Sequence, residues 1–329
     1  MLKPSDKFIT VFIPTFNGQQ YLTECIDMVL GQKMPKGYAL ELLIIDSGST
    51  DNTLSILQKY PSTQLTLLQI PNSEFSHGGT RSKAAHIAKG DFILFLTQDA
   101  TPANENWLIS MLEPFYISDR VGCVFGRQIP RRNAAATIKR EVSTVFGGLG
   151  ARDSIIIHRS KSVLDNKDVN PINTFFSDVN SAVRRDLLIG PVPFRKVNYA
   201  EDQSLAEDMQ EKGYMKAYAP QGEVWHSNEY TAKEYFHRKF DEYIGLQESV
   251  GLKMNPSLRS LLLGWIRPTL QDWKFIRRDA EYSKHSKFVW FIEAPLYNMA
   301  LQGGKYKAIK HFNNVAARDK MSLEAGLRR

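Results

Sequence analysis

The stretch Leu40-Glu41-Leu42-Leu43-Ile44-Ile45-Asp46-Ser47-Gly48-Ser49-Thr50-Asp51 decides the fold. Its first half is an apolar run of strand length, as expected of a parallel strand buried on both faces. Its second half is a Gly/Ser turn that can cap a helix from Asn52 to about Tyr60. The same alternation extends on either side. Ile9–Ile13 reads as a strand, with a turn at Asn17-Gly18 and a helix from about Tyr21 to Leu30. Leu65–Ile70 reads as a third strand, Thr80–Ala88 as a helix, and Phe92–Leu96 as a fourth strand. Strands alternating with helices predict an α/β fold with a doubly wound, mainly parallel sheet.

Beyond residue 100 the pattern loosens. Val121–Gln128 and Phe175–Val183 read as strands. The long stretch between them, with Arg131-Arg132 and Gly147-Gly148-Leu149-Gly150, reads as an irregular substrate loop. Asp202 to about Lys212 reads as a helix, Tyr214–Ala219 as a short strand and Val224-Trp225-His226 as a separate apolar patch. From Ala232 onward the pattern is helical and basic. The expected division is residues 1–230, in halves 1–100 and 101–230, followed by a helical region at 231–329.

Composition supports this reading. The chain has 329 residues, 43% hydrophobic and 23% charged, enough for a sizeable core. Two cysteines, Cys25 and Cys123, build no disulfide framework and point to a reducing cytosol. No leader-like apolar core precedes Phe8, and no run approaches the roughly 20 apolar residues of a spanning helix. The net charge of +7 is uneven: residues 1–230 carry −1 and residues 231–329 carry +8. Such a tail suits an anionic partner. It carries no nucleic-acid recognition motif, so an anionic membrane surface is the expectation. Leu258, Leu261, Leu262 and Trp265 beside Arg259 and Arg267, then Trp273 with Lys274, Arg277 and Arg278, have the composition of an interfacial helix. A basic helix packed on the rest of the chain is the alternative.

The chemistry-bearing residues follow the strand ends. Ile13-Pro14-Thr15-Phe16-Asn17-Gly18 lacks the G-x-G-x-x-G of dinucleotide binders and suggests a fixed turn beside a flat ligand. At Asp46 a carboxylate can accept from a uracil or thymine ring N–H, or can cap the next helix, a role open also to Ser49 and Asp51. In Ser76-His77-Gly78-Gly79-Thr80-Arg81, two glycines at a helix start permit close backbone approach to a phosphate, and Arg81 can pair with phosphate or carboxylate. Asp99, in Leu96-Thr97-Gln98-Asp99-Ala100, ends the fourth strand, where open α/β sheets hold ligands. Glu201-Asp202 opens a later helix and can supply a base to the same cleft.

As a set, these motifs resemble glycosyltransferase family 2, the inverting nucleotide-sugar transferases of the GT-A fold. The resemblance covers about residues 8–230: I-P-T-F-N-G, I-I-D-S-G-S-T-D-N-T, H-G-G-T-R, F-L-T-Q-D-A, A-E-D-Q and V-W-H. F-S-H-G-G-T-R followed by L-T-Q-D-A resembles the bacterial rhamnosyltransferase subgroup. Thr97 where the D-x-D motif begins with Asp, and Ser47 where the family has a second Asp, fit that subgroup. The implied fold is a GT-A-type sheet with a C-terminal helical extension.

The resemblance also implies roles. Thr15, Phe16, Asn17, Asp46, Ser47, His77, Gly78, Gly79, Arg81 and Gln98 would bind the nucleotide sugar. Asp99, with His226, would hold a divalent metal, Mg²⁺ or Mn²⁺, on the diphosphate. Asp202 would be the general base and Glu201 its support. The implied activity is inverting transfer of L-rhamnose from dTDP-L-rhamnose to a hydroxyl of a lipid-linked or growing bacterial surface polysaccharide. UDP-galactofuranose, UDP-glucose and UDP-N-acetylglucosamine are alternative donors, and a non-catalytic glycan-binding protein is the alternative class. The expected setting is the cytoplasm, peripheral on the inner face of the cell membrane, as a monomer or homo-oligomer.

Overall fold

The computed structural model describes residues 7–158, 175–195, 197, 200–249, 255, 257–323 and 326. By compactness the chain divides into residues 1–129 with 146–226, and residues 130–145 with 227–329.

The first unit is built on a nine-stranded sheet. Its strands are β1 (Lys7–Thr15), β2 (Tyr38–Asp46), β3 (Leu65–Gln69), β4 (Phe92–Leu96), β5 (Thr101–Pro102), β6 (Val121–Ile129), β7 (Ile156–His158), β8 (Asn180–Arg184) and β9 (Met215–Trp225). The order is β3-β2-β1-β4-β8-β6-β9-β5, with β7 added on β9. From β3 to β4 every pairing is parallel, as the β-α-β alternation predicts. The sheet then turns mixed: β8 runs antiparallel to both β4 and β6, while β6 and β9 are parallel. The sheet thus has a parallel half and a mixed half.

Helices α1 (Leu22–Leu30), α2 (Thr53–Leu57), α3 (His77–Ile87) and α4 (Trp107–Ile117) follow strands of this sheet. Leu22, Cys25, Ile26 and Val29 give α1 one buried face. They pack with Ile9, Val11, Ile13, Leu42, Ile44, Leu94 and Trp107 in the main core. Both cysteines are buried, and neither is in a disulfide. The stretch read as an irregular loop instead holds α5 (Ala136–Gly148). Ala136 and Ile138 are buried, and Val142 packs beside Ile138 in one apolar cluster, which supplies the face such a helix needs. Residues 159–174, the rest of that stretch, lie outside the described residues. The expected short strand and separate patch at 214–226 are one strand, β9, bent where its register with β6 shifts after Gly126. Among the described residues this unit also has α6 (Arg185–Leu188) and α7 (Glu201–Glu211).

The second unit is helical: α8 (Ala232–Ser249), α9 (Leu258–Leu263), α10 (Ile266–Arg278), α11 (Lys284–Lys310) and α12 (Val315–Met321), with residues 136–145 of α5. Gly304 lets α8 and α11 touch, since a Cβ there would lie 2.5 Å from the Phe236 carbonyl. Asp272, fully buried, accepts from Thr137 Oγ1 (2.7 Å) and Asn298 Nδ2 (2.5 Å), and pairs with Arg140. One carboxylate therefore ties α5, α10 and α11. No described helix is long and apolar enough to cross a membrane.

Candidate active site

The carboxyl ends of β1, β2 and β4 lie along one sheet edge. Because Leu96 faces Asn180 and Ile129 faces Trp225, the start of β8 and the ends of β6 and β9 reach the same edge. Thr15, Asp46, Gln98, Asp99, Asp178 and His226 all sit at these strand ends, where an α/β sheet presents its ligands.

The turn after β1 is held by Gln98. The Phe16 N–H donates to Gln98 Oε1 (2.9 Å), and Gln98 Nε2 donates to the Phe16 carbonyl (2.9 Å). Gly18 is required beside this clasp, because a Cβ there would sit 2.3 Å from Gln98 Oε1. Asn17 has φ 48°. Its side-chain oxygen accepts from the backbone N–H of Thr50 (2.8 Å) and of Asp51 (3.3 Å). Its amide oxygen thus staples two turns together, in keeping with the fixed turn read there.

Asp46 is buried and fully bonded. The N–H groups of Gly48 (3.1 Å) and Ser49 (3.0 Å) donate to Oδ1, and the hydroxyls of Ser49 (2.5 Å) and Thr15 (3.1 Å) donate to Oδ2. A carboxylate offers about four acceptor sites, so a base N–H must replace one of these donors. The Ser47 hydroxyl donates to the Thr15 carbonyl (3.1 Å) and is buried. Both residues shape the turn as well as face the edge.

The His77–Arg81 segment opens α3. Ser76 caps the helix by accepting from the Gly79 N–H (3.2 Å). The His77 ring packs edge-on against Phe75 at 5.2 Å. Gly78 is buried, and a Cβ there would lie 2.8 Å from the Arg195 carbonyl and 3.5 Å from Glu201 Cβ. The close approach that Gly78 permits is therefore to protein. Arg81 is turned inward. Its guanidinium lies 3.1 Å from Asp178 and 3.0 Å from Glu201, with all three side chains buried. It also donates to the His77 carbonyl (3.2 Å). Of the two partners open to it, phosphate or carboxylate, Arg81 gathers carboxylates.

Those carboxylates adjoin Asp202. The Asp178 N–H donates to Asp202 Oδ2 (3.2 Å), and the Gln203 N–H donates to Oδ1 (2.7 Å). Burial, then the charges of Glu201 and Asp178, push the Asp202 carboxyl up to about 8. Burial also raises Asp178, to about 6, with Arg81 opposing and Glu201 adding to the rise. Ala200, just before the acids, has φ 58°, a backbone state costly for a residue with a Cβ. The acids around Arg81 thus raise the proton affinity of Asp202, whose carboxylate form can take a proton from a neighbouring hydroxyl.

The other pole is Asp99 with His226. Their Oδ2 and Nε2 atoms are 3.5 Å apart. Gln128 Nε2 donates to Ser177 Oγ (3.2 Å), which turns its Oε1 toward His226 Nδ1 (2.9 Å). Nδ1 therefore carries a proton, and Nε2 is the ring atom that faces Asp99. Burial opposes ionisation of Asp99, but the His226 ring, the Thr97 hydroxyl and a backbone N–H together draw its carboxyl down to about 2. Among the described residues no group of three His, Cys, Asp or Glu could hold a metal. Asp99 and His226 fit a divalent ion that completes its shell with diphosphate oxygens and water.

The motif reading did not find Asp178 or Gln128. Asp178 sits in Ser177-Asp178-Val179 with no acidic neighbour, and only the tertiary partner Arg81 reveals it. Asn180, weighed as an acceptor contact, accepts from Trp107 Nε1 (2.9 Å) and donates to the Gly222 carbonyl (2.7 Å), both buried. Arg184 pairs with Asp186, and Arg185 donates to the Ala85 carbonyl.

Residues 10–190 match the family model described as Glycosyl transferase family 2, more than half of the chain. The chain belongs to glycosyl transferase family 2. It is a glycosyltransferase, and its sheet with C-terminal helices is of the GT-A kind. The O-antigen chain rhamnosyltransferase WbaN of Salmonella anatum is 31% identical over 283 residues, covering 84% of this chain and 81% of the relative. The O-antigen chain rhamnosyltransferase RfbN of Salmonella typhimurium is 31% identical over 241 residues, covering 71% and 70%. Among solved structures, the mannosyltransferase PcManGT of Pyrobaculum calidifontis, in complex with GDP-Man and Mn²⁺, superposes with a TM-score of 0.59 at 17% identity. That match covers 93% of this chain and 87% of the other. At that identity the likeness speaks for the fold.

Proposed function

We propose that this family 2 glycosyltransferase moves L-rhamnose from dTDP-L-rhamnose, with inversion, to a hydroxyl of a lipid-linked or growing surface polysaccharide. Two O-antigen rhamnosyltransferases, each 31% identical over most of the chain, support the sugar. The observation that carries the transfer itself is the Asp202 carboxyl, raised to about 8 and oriented by two backbone N–H groups.

Asp202 takes the proton from the acceptor hydroxyl as its oxygen attacks the anomeric carbon. One displacement with one base inverts that carbon. Glu201, Asp178 and Arg81 position the base and set its proton affinity. Thr15, Phe16 and Gln98 form the wall for the nucleotide, and the thymine N–H takes the place of the Ser49 hydroxyl on Asp46. Asp99 and His226 would hold Mg²⁺ or Mn²⁺, whose charge stabilises the leaving diphosphate when bound. The enzyme acts in the cytoplasm, at the inner face of the membrane, with residues 231–329 toward the lipid.

The test is nucleotide release from a donor panel with Mn²⁺ or Mg²⁺ and a polysaccharide-primed lipid acceptor. dTDP release from dTDP-L-rhamnose alone supports the reading. Preferential UDP release from UDP-galactofuranose, UDP-glucose or UDP-N-acetylglucosamine replaces the sugar. No release from any donor supports the glycan-binding alternative.

A further inference from the structure

The second unit carries an exposed apolar face that its own packing leaves uncovered. On α11 the buried residues Ala294, Tyr297 and Asn298 point to one side. The opposite side carries Phe288, Phe291, Ile292, Leu296 and Met299, all exposed, with Phe288 at 67% and Ile292 at 57%. A helix apolar on both sides belongs inside a core or against lipid. On α10 the exposed Ile266 and Leu270 lie on the edge that also carries Trp273. The Trp273 and Phe291 rings stack at 4.6 Å and join the two helices into one surface. Scattered exposed apolar residues are ordinary, but a contiguous set across packed helices marks an interaction site.

The rim names the partner. Arg267, Lys274, Arg277, Arg278 and Lys284 flank this face and are exposed. None of the five forms an ion pair among the described residues. Of the nearby acids, Asp272 is buried against Arg140, Asp279 and the exposed Glu281 pair with Lys139, and Glu293 on α11 is half-buried beside Ile292. The Lys287 ammonium reaches the Arg277 carbonyl (3.3 Å), so cations close the Phe288 end of the face. A second copy docked on this face about a two-fold axis would set one cationic rim against another. An anionic lipid leaflet offers hydrocarbon for the apolar centre, an interfacial level for Trp273 and phosphate for the rim.

We propose that α10 and α11 lie in the headgroup layer of an anionic membrane, with Phe288, Phe291, Ile292 and Leu270 inserted and the five cations on lipid phosphates. This deepens the reading that the enzyme works on a lipid-linked acceptor and rests on it for its purpose, although binding is read without any substrate. The binding is part hydrophobic, so charge alone does not account for it.

The test is flotation of the full chain with vesicles of phosphatidylglycerol and phosphatidylcholine, beside two variants. Phe288→Asp with Ile292→Asp changes only exposed positions, and circular dichroism melting checks the fold. It should lower the bound fraction about tenfold or more at low salt. Lys274→Gln with Arg277→Gln and Arg278→Gln should lose about fivefold per charge on the anionic vesicles and little on pure phosphatidylcholine. Donor turnover with a water-soluble acceptor should be equal in all three proteins. Turnover that fails in the unaltered chain indicts the functional reading and leaves the flotation result standing. Unaltered protein that does not float, or Phe288→Asp with Ile292→Asp that floats equally, overturns the membrane face. A dimer of the unaltered chain that this double variant breaks overturns it in favour of self-association.

Discussion

Arg81 and Asp178 form a buried ion pair at 3.1 Å, their side chains 5% and 1% exposed, although 97 residues separate them. The pair sets the charge around Asp202, since Arg81 lowers both Asp178 and Asp202 while burial raises them. Arg81→Ala leaves two buried carboxylates without their counter-ion, and breaking such a pair costs about 3–5 kcal/mol. It should also move the rising limb of the kcat/KM profile to higher pH. Arg81→Lys keeps the charge but only one point donor, and should restore the pH profile more than the stability. Melting curves and pH–rate profiles of the two variants check this. A stability loss with an unmoved pH limb would reduce Arg81 to a structural residue.

Asp202→Asn should lower transfer by about 10²–10⁴-fold, the usual worth of a positioned base. The Asn oxygen still accepts from the Gln203 N–H while its NH₂ cannot accept from the Asp178 N–H, and donor affinity should hold within a few-fold. Calorimetry with dTDP and turnover with acceptor separate the effects. A variant keeping more than about a tenth of wild-type kcat would remove Asp202 from the role of base.

The cation pole is read through Gln128, which touches His226 and not the donor set itself. Asp99→Ala should abolish any dependence of donor binding on Mn²⁺. Gln128→Ala frees the ring to take the wrong tautomer, and outer partners of this kind change metal affinity by about 10–100-fold. Titration of Mn²⁺ against dTDP affinity measures both. Equal Mn²⁺ dependence in Asp99→Ala would place the metal elsewhere.

The acid cluster also predicts how stability depends on pH. Asp178 at about 6 and Asp202 at about 8 both lie above the ordinary carboxylate value of 3.8. The folded state therefore holds more protons than the unfolded state between these values, and stability falls as pH rises through them. The contribution is complete below about pH 4 and is lost by about pH 8. Asp202→Asn should flatten this fall by up to about 1.4 kcal/mol per pH unit in that window. Urea denaturation at pH 5, 6, 7 and 8 checks the sign, and a rise in stability across the window would contradict it.

The parallel half of the sheet was legible because its strands are short apolar runs closed by Gly, Asn or Pro. Phe92–Leu96 matches its strand residue for residue. The helix at Ala136–Gly148 was not, because its two end glycines and paired arginines imitate a loop and its apolar face is made by distant partners such as Tyr235 and Tyr297. Strand-end position brought Asp46, Asp99 and His226 to one edge. It could not show that Asp46 is already met by four donors, or that Arg81 turns inward. Both depend on which groups fold against them, as does Asp178, whose sequence neighbours give no sign. The exposed Phe288–Met299 face was hidden for the opposite reason. An apolar stretch reads as core until the packing shows that nothing among the described residues covers it.

The Gly18–Gln98 contact gives a test that depends on one atom. A Cβ at residue 18 would lie 2.3 Å from Gln98 Oε1, the acceptor of the Phe16 N–H. The backbone of Gly18 is not in the left-handed region, so alanine is strained there only by this side chain. Gly18→Ala alone should push Gln98 off Phe16 and weaken dTDP binding. Gln98→Ala alone should weaken it by losing the clasp, two hydrogen bonds of about 0.5–1.5 kcal/mol each. Once Gln98 is gone, adding Gly18→Ala should cost almost nothing. A coupling energy of about 0.5–3 kcal/mol between the substitutions, read by calorimetry in a double-mutant cycle, is the expected result. Strict additivity would show that the Phe16 turn keeps its shape without Gln98.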